Sequence, residues 1–317
     1  MFCSTLRASI IALCFNHKDY LDAALSSLEG LPESEVEIIV CDDASTDGSR
    51  GLLEQWRHRK PEWKFLLNDT NAGNCRTFNA ALAHCSGAWV LDFSTDDILR
   101  TEAFLPWLEF AESQPETGFI YAGASIFSKN KENASPFQAP GKIVQYPEGN
   151  IFPFLFGPTF ICPPAVLFHA EKLSESGGYH PLLAYEDWDI WLRLAVKYPV
   201  RRFSGDVIFY RKHKGSLSAS LFLKRNTAIL DSTLLILNEA GKWPEMRLVD
   251  NAVFARFVRY HLRLCFFLQL PNLARAFLQI LKSRGMACFY DFLMAIASNK
   301  LPFLYPVFRW LKSRKGT

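Results

Sequence analysis

Three acidic clusters punctuate the first two-thirds of the chain: Cys41-Asp42-Asp43-Ala44-Ser45-Thr46-Asp47-Gly48, Ser94-Thr95-Asp96-Asp97 and Glu186-Asp187-Trp188-Asp189. The first two each follow a short apolar run that reads as a strand buried on both faces. Their carboxylates are therefore expected at the carboxyl edge of one sheet, where open α/β sheets bind ligands. Paired carboxylates repel one another unless a divalent cation or a cationic substrate joins them. Hard oxygen ligands of this kind suit magnesium or manganese carrying a phosphate ester, so a metal-bound nucleotide is the first chemistry implied.

The elements that must position these groups follow from periodicity. Apolar runs at 9–15, 36–41, 63–67 and 89–93 read as strands, and helical spacing at 19–28, 49–59 and 76–84 reads as the crossovers between them. Such alternation predicts a mostly parallel sheet flanked by helices, with residues 1–100 as the nucleotide-binding half. Residues 101–220 form the acceptor and catalytic half of the same domain: a helix at 102–113, a strand at 119–122, a long polar loop at 128–149 expected to be mobile, and a helix at 187–196. From 221 to 317 nearly everything reads as helix, a basic and aromatic extension.

The 317 residues are 49% hydrophobic, ample for a large core, and carry a net charge of +3. That small value hides an asymmetry. Residues 252–317 hold eleven Lys and Arg against one acid, Asp291, so this stretch is +10 and the remainder −7. Its cations alternate with Phe254, Phe257, Phe266, Phe277, Phe289, Phe292 and Trp310, a mixture suited to an anionic membrane surface, with 301–312 as the best contact segment. The competing reading is a set of helices packed on the catalytic domain with solvated charges. Nucleic acid is excluded as a partner, because the acidic catalytic half opposes it. The eight cysteines show no C-x-x-C pair and read as reduced core residues of a cytoplasmic protein. The apolar stretch 8–15 runs into Asn16-His17-Lys18-Asp19 without a small-residue cleavage site, so it reads as a first strand rather than a signal peptide.

Five elements in order resemble the family 2 inverting glycosyltransferases of GT-A fold, over roughly residues 9–218. They are Ser9 to Asn16, where the family's strand ends in Tyr-Asn; Asp42-Asp43-Ala44-Ser45-Thr46-Asp47-Gly48; Asn71-Ala72-Gly73-Asn74; Glu186-Asp187 with Trp191; and Arg211-Lys212-His213 with Ser216 and Ser218. The resemblance implies an enzyme that moves a sugar from a nucleotide-diphosphate donor to a glycan or lipid-linked acceptor, on the inner face of the cell membrane.

It also implies roles. Phe15, Asn16, Asp42, Asp43, Asn71 and Gly73 would contact the donor, Asp42 and Asp43 as acceptors for a base imide or a ribose hydroxyl. Gly73 is expected at positive φ. Asp96 and Asp97 would meet the metal and the ribose in an order left open, with His213 on the metal and Arg211 on the donor's phosphates. Asp187 would be the catalytic base and Glu186 an acceptor contact. Plain helix caps and a solvated basic loop remain the competing readings of these residues. The second cluster, Ser94-Thr95-Asp96-Asp97, departs from the family's common Asp-x-Asp pattern and is similar to the Ser-Gly-Asp-Asp of many relatives; Asp92 could supply the acid missing at Ser94, although strand alternation can turn it elsewhere. Trp188 and Trp191 read as core, and histidines other than His213 lack metal-ligand spacing. A sugar-nucleotide nucleotidylyltransferase is the alternative enzyme, but it needs a Gly-rich loop after the first strand. A non-catalytic glycan- or membrane-binding protein is the third reading.

Overall fold

In the computed structural model, residues 6–138, 146–216 and 227–300 are described. The run Ala8–Cys14 forms β1, with every residue buried. A strand with no polar-facing side must lie mid-sheet under helices on both faces. It does: β2 (Val36–Asp42) flanks it on one side and β4 (Trp89–Ser94) on the other, both parallel, and β3 (Lys64–Leu67) adds beyond β2. The crossovers are α1 (Lys18–Ser26), α2 (Ser49–Arg59) and α3 (Asn74–Leu82). Each buries an apolar stripe: Leu21, Ala24 and Leu25; Leu53 and Trp56; Phe78 and Ala81. These elements fall within two residues of the sequence expectations.

The second half completes the sheet. After β5 (Ile98–Leu99) and α4 (Thr101–Glu112), whose Phe104, Trp107 and Leu108 are buried, come β6 (Phe119–Phe127), β7 (Ser135–Pro136), β8 (Val166–His169), α5 (Ala170–Glu175), α6 (Asp187–Lys197) and β9 (Val200–Arg211). The strand order is β3-β2-β1-β4-β8-β6-β9-β5, with β7 paired to β6. Parallel pairings take the long strands. The antiparallel ones, β4 with β8, β8 with β6, β5 with β9 and β6 with β7, involve two or three residue pairs each. The fold is therefore an α/β sheet, mostly parallel and flanked by helices. β9 was not anticipated, because Arg201, Arg202, Ser204 and Asp206 break its alternation; pairing with β6 holds it in place. Within the loop expected at 128–149, residues 139–145 lie outside the described residues.

The chain divides into two compact units, Met1–Leu155 with Thr159–Lys214, and Phe156–Pro158 with Gly215–Thr317. In the second, α7 (Ala228–Ala240), α8 (Asn251–Phe267), α9 (Pro271–Ser283) and α10 (Phe289–Lys300) pack around Phe254, Val258, Leu262, Phe277 and Leu281. Asp250 caps α8, accepting from Ala252 N–H and Val253 N–H at 2.9 Å each. The lone acid of residues 252–317, Asp291, is buried and takes both carboxylate oxygens to Arg259 at 3.0 and 3.1 Å. Among the described residues no helix is long and apolar enough to cross a membrane.

Candidate active site

The register of the sheet places the first two acidic clusters side by side. Asp42 pairs with Cys14 across β2 and β1, and Ser94 pairs with Leu13 across β4 and β1. At the usual strand spacing the two strand ends are roughly 10 Å apart. β1 separates β2 from β4 at this edge, the position where the connections diverge and a crevice opens.

Asp42 is fully buried, and its Oδ2 accepts from Ser45 N–H at 3.2 Å. Its Oδ1 is buried with no hydrogen-bond partner among the described residues. An orphaned carboxylate oxygen is costly, so the position is suited to a donor group brought by a ligand. Phe15, next to it on β1's end, is 45% exposed. Asn16 takes a positive φ of 59° and ties its loop to the next one: its N–H donates to Ser45 Oγ at 2.8 Å, and its Oδ1 accepts from Thr46 N–H at 2.8 Å. Asp43 instead builds the 68–73 turn, accepting from Ala72 N–H at 2.7 Å, Gly73 N–H at 2.9 Å and Asn68 Nδ2 at 3.0 Å. Gly73 has φ +87° there, as expected, and Asn71 is exposed. Asp47 ties the first residues of two helices together, accepting from Lys18 N–H of α1 and Ser49 N–H of α2, each at 2.9 Å.

A second group gathers around Asp96. Its Oδ1 accepts from Ser94 Oγ at 2.5 Å, its Oδ2 lies 2.9 Å from His213 Nε2, and His17 Nε2 is 3.9 Å away. Burial acts to raise the Asp96 carboxyl, but the His213 hydrogen bond, the charge of His17 and the Ser94 hydroxyl hold it below the usual range. His17 is oriented by Thr95: the hydroxyl donates to Leu13 O at 3.0 Å, which leaves it to accept from His17 Nδ1–H at 2.9 Å. Burial lowers the His17 imidazole, against the pull of the Asp96 charge. The His213 ring packs on Tyr20 at 4.5 Å.

The third cluster opens α6. Asp187 is the helix's first residue and accepts from Trp188 N–H at 2.8 Å; burial pushes its carboxyl up to about 6 against that bond. Glu186 accepts from Asn74 Nδ2 of α3 at 2.6 Å, and burial, with Asp187 and Asp92 nearby, pushes it up to about 8. Because Asp43 holds the turn that starts α3, and α3 holds Glu186, one hydrogen-bonded path joins the β2 edge to α6. Trp188 and Trp191 are buried core residues, and Asp189 is bound to Arg193 at 2.6 Å.

The family described as glycosyl transferase family 2 matches residues 9–176, more than half of the chain. The chain belongs to the family 2 glycosyltransferases. Among relatives of this glycosyltransferase, the Escherichia coli UDP-Glc:alpha-D-GlcNAc-diphosphoundecaprenol beta-1,3-glucosyltransferase WfaP is 26% identical, over 71% of this chain and 85% of that protein. The putative colanic acid biosynthesis glycosyl transferase WcaA of the same species is 24% identical, over 72% and 92%. An uncharacterised glycosyltransferase of Nostoc sp. is 27% identical over 37% of this chain, which spans about a third, 36%, of that protein's length. TarS of S. aureus, solved with UDP-GlcNAc, superposes with a TM-score of 0.69 at 18% identity over 92% of this chain and 89% of that one. The fold is thus of GT-A type.

Two residues of this glycosyltransferase sit differently from the sequence expectation. Arg211, expected on the donor's phosphates, is buried between the rings of Phe127 and Tyr20, with its guanidinium carbon 4.4 and 4.8 Å from their centres, and its Nε–H donates to Asp96 O at 2.7 Å. It braces the Asp96–Asp97 turn from behind, because β9 delivers it under that turn. Asp97, expected beside the metal, is 1% exposed, accepts from Arg211 N–H at 2.7 Å, and is raised well above the ordinary range by burial and by Asp96. Sequence reading passed over His17 for want of ligand spacing. The signal available was its place one residue past Asn16, at the mouth of β1.

Proposed function

We propose that this chain is an inverting, metal-dependent hexosyltransferase that moves a sugar from a nucleotide-diphosphate donor to a hydroxyl of a glycan or lipid-linked acceptor, in surface polysaccharide synthesis. The observation that carries the reading is the emergence of Asp42 and Asp96 at one sheet edge, with an unpartnered oxygen on Asp42 and with Glu186, next to Asp187, tied back to that edge through Asn74 and the turn held by Asp43. WfaP, by its name, uses UDP-Glc on a diphosphoundecaprenol acceptor, TarS was solved with UDP-GlcNAc, and a Pyrobaculum calidifontis mannosyltransferase of TM-score 0.57 and 15% identity, matched over 98% of this chain and 85% of that one, was solved with GDP-Man and Mn2+.

In this reading Asp42 Oδ1 accepts from the base or ribose and Phe15 offers its face to the base. Asn16, Asp43, Asn71 and Gly73 shape the loops around the nucleoside. Asp96 and His213 would hold the cation, and their mixed oxygen and nitrogen set would favour manganese over magnesium. No group of three or more metal-binding side chains occurs among the described residues. When bound, the cation neutralises charge on the departing diphosphate. Asp187 takes the proton of the acceptor hydroxyl as that oxygen forms its bond to the anomeric carbon. The bond from that carbon to the diphosphate breaks on the opposite side, so configuration inverts. Glu186, tied to Asn74, borders the acceptor side. Arg211 and Asp97 brace the Asp96 turn.

A screen of nucleotide sugars for manganese-dependent thermal stabilisation, followed by an assay of nucleoside-diphosphate release, tests the reading. Asp187→Asn should keep donor binding and lose at least a hundredfold in turnover, whereas Asp96→Ala should abolish the manganese-dependent stabilisation. Transfer by Asp187→Asn at the parent rate would overturn the base assignment.

The second unit supports attachment to the cytoplasmic face of a membrane through residues 252–317. Helix α10 turns Phe289, Phe292, Leu293 and Ile296, an i, i+3, i+4, i+7 stripe, to solvent, with Phe289 77% exposed, while Arg256, Arg263, Arg275 and Lys282 are exposed on α8 and α9. Lys282 lies 4.7 Å over the Phe292 ring. An outward apolar stripe bordered by cations matches an anionic lipid interface. The segment 301–312, singled out from sequence, lies outside the described residues.

A further inference from the structure

Asp92 lies on β4 opposite Ile11 of β1, two residues short of the strand end, and its Oδ2 accepts from Tyr179 OH at 2.8 Å. Tyr179 is gripped by α3: its ring stacks on Phe78 at 4.1 Å, its N–H donates to Asn79 Oδ1 at 2.8 Å, and its carbonyl accepts from Asn79 Nδ2 at 2.7 Å. The far end of the same segment is held by the same helix, through Asn74 to Glu186 and through Cys75 Sγ to Leu183 O at 3.4 Å. Asp187 is the next residue. Arg193 closes the near end by donating to Gly178 O at 2.7 Å.

We propose that Asp92 is a positioning residue for Asp187: through Tyr179 it fixes on α3 the segment that leads into the base. The inference rests on the reading of Asp187 as base. Among the described residues, Asp92, Glu186 and Asp187 form no ion pair. The groups around them are Cys75 on α3, Tyr179, and Cys162, itself within reach of Asp187, Asp97, Asp206 and Lys212. Burial, with the charge of Asp187, pushes Asp92 up to about 7 against the Tyr179 bond. Three carboxylates so arranged titrate as a set, each loss of a proton making the next harder. Asp187, lowest of the three at about 6, ionises first, and its charge helps keep Asp92 and Glu186 protonated.

The kcat and donor KM of the full chain, with the donor found by the screen, decide the matter. Tyr179→Phe deletes the bond and should lower kcat about threefold or more, with donor KM unchanged. Asp92→Ala removes the acceptor and should lower kcat likewise, and Asp92→Asn, which keeps an acceptor for Tyr179 OH, should recover it. A Tyr179→Phe kcat within about twofold of the parent overturns the inference, as does an Asp92→Asn kcat no better than that of Asp92→Ala. If Asp92→Ala does not fold, Tyr179→Phe alone decides. Loss of turnover in Asp187→Asn beside an unchanged Tyr179→Phe kcat sinks only this inference, whereas turnover retained in Asp187→Asn sinks the base reading beneath it.

Discussion

Asp187 must be ionised to take a proton, and burial places its carboxyl near 6. Turnover should therefore fall tenfold per pH unit well below that value and level off above it, which a pH–rate profile of kcat measures directly. Glu186 has an effect of its own on stability. Its folded value, about 8, lies above the ordinary 4.5, so the fold favours the neutral carboxyl. That contribution is fully present below the ordinary value and is lost as pH rises through the folded one. The unliganded protein should melt at progressively lower temperature between about pH 5 and 9, and Glu186→Gln should flatten that slope in thermal melts. These residue types could be named from sequence as acids in a cluster. Their titration could not, because it depends on Asn74, Asp92 and the burial supplied by elements far away in the chain.

At the scale of elements, α3 is the part that holds the site together. It begins on the turn built by Asp43, grips Tyr179 through Asn79 and meets Glu186 through Asn74. Gly178 makes the close approach possible: its φ is +64°, and a Cβ there would lie 2.5 Å from Asn79 Oδ1. Gly178→Ala should cost about 1–3 kcal/mol in denaturant unfolding and lower kcat as the segment before Asp187 lifts from the helix. Helical periodicity made α3 legible, and strand–turn–helix alternation made the edge of β1, β2 and β4 legible. β9 was not, since its polar residues hide a strand whose register is set by β6. The placements of Arg211 and Asp97 were hidden with it.

At the scale of the whole molecule, the charge asymmetry is distributed between two units, one acidic and catalytic, the other basic and aromatic. If the second meets anionic lipid, the full chain should co-sediment with phosphatidylglycerol vesicles and not with phosphatidylcholine vesicles. The pair Phe289→Ser and Ile296→Ser should weaken that partition at least tenfold, as expected for two apolar side chains kept from burial, while transfer to a water-soluble acceptor stays unchanged. Binding unaffected by both substitutions would place the contact elsewhere.

Local pattern alone determined the order of strands and helices in the first hundred residues, the sheet edge at which Asp42 and Asp96 emerge, and the family, because each of these is written in short-range periodicity and in contiguous motifs. Tertiary structure decided that Asp97 is held under β9 while Asp96 meets His213, that His17 joins Asp96, and that Asp92 turns to Tyr179. Those outcomes depend on contacts between residues roughly a hundred positions apart, whose geometry and burial no local pattern encodes.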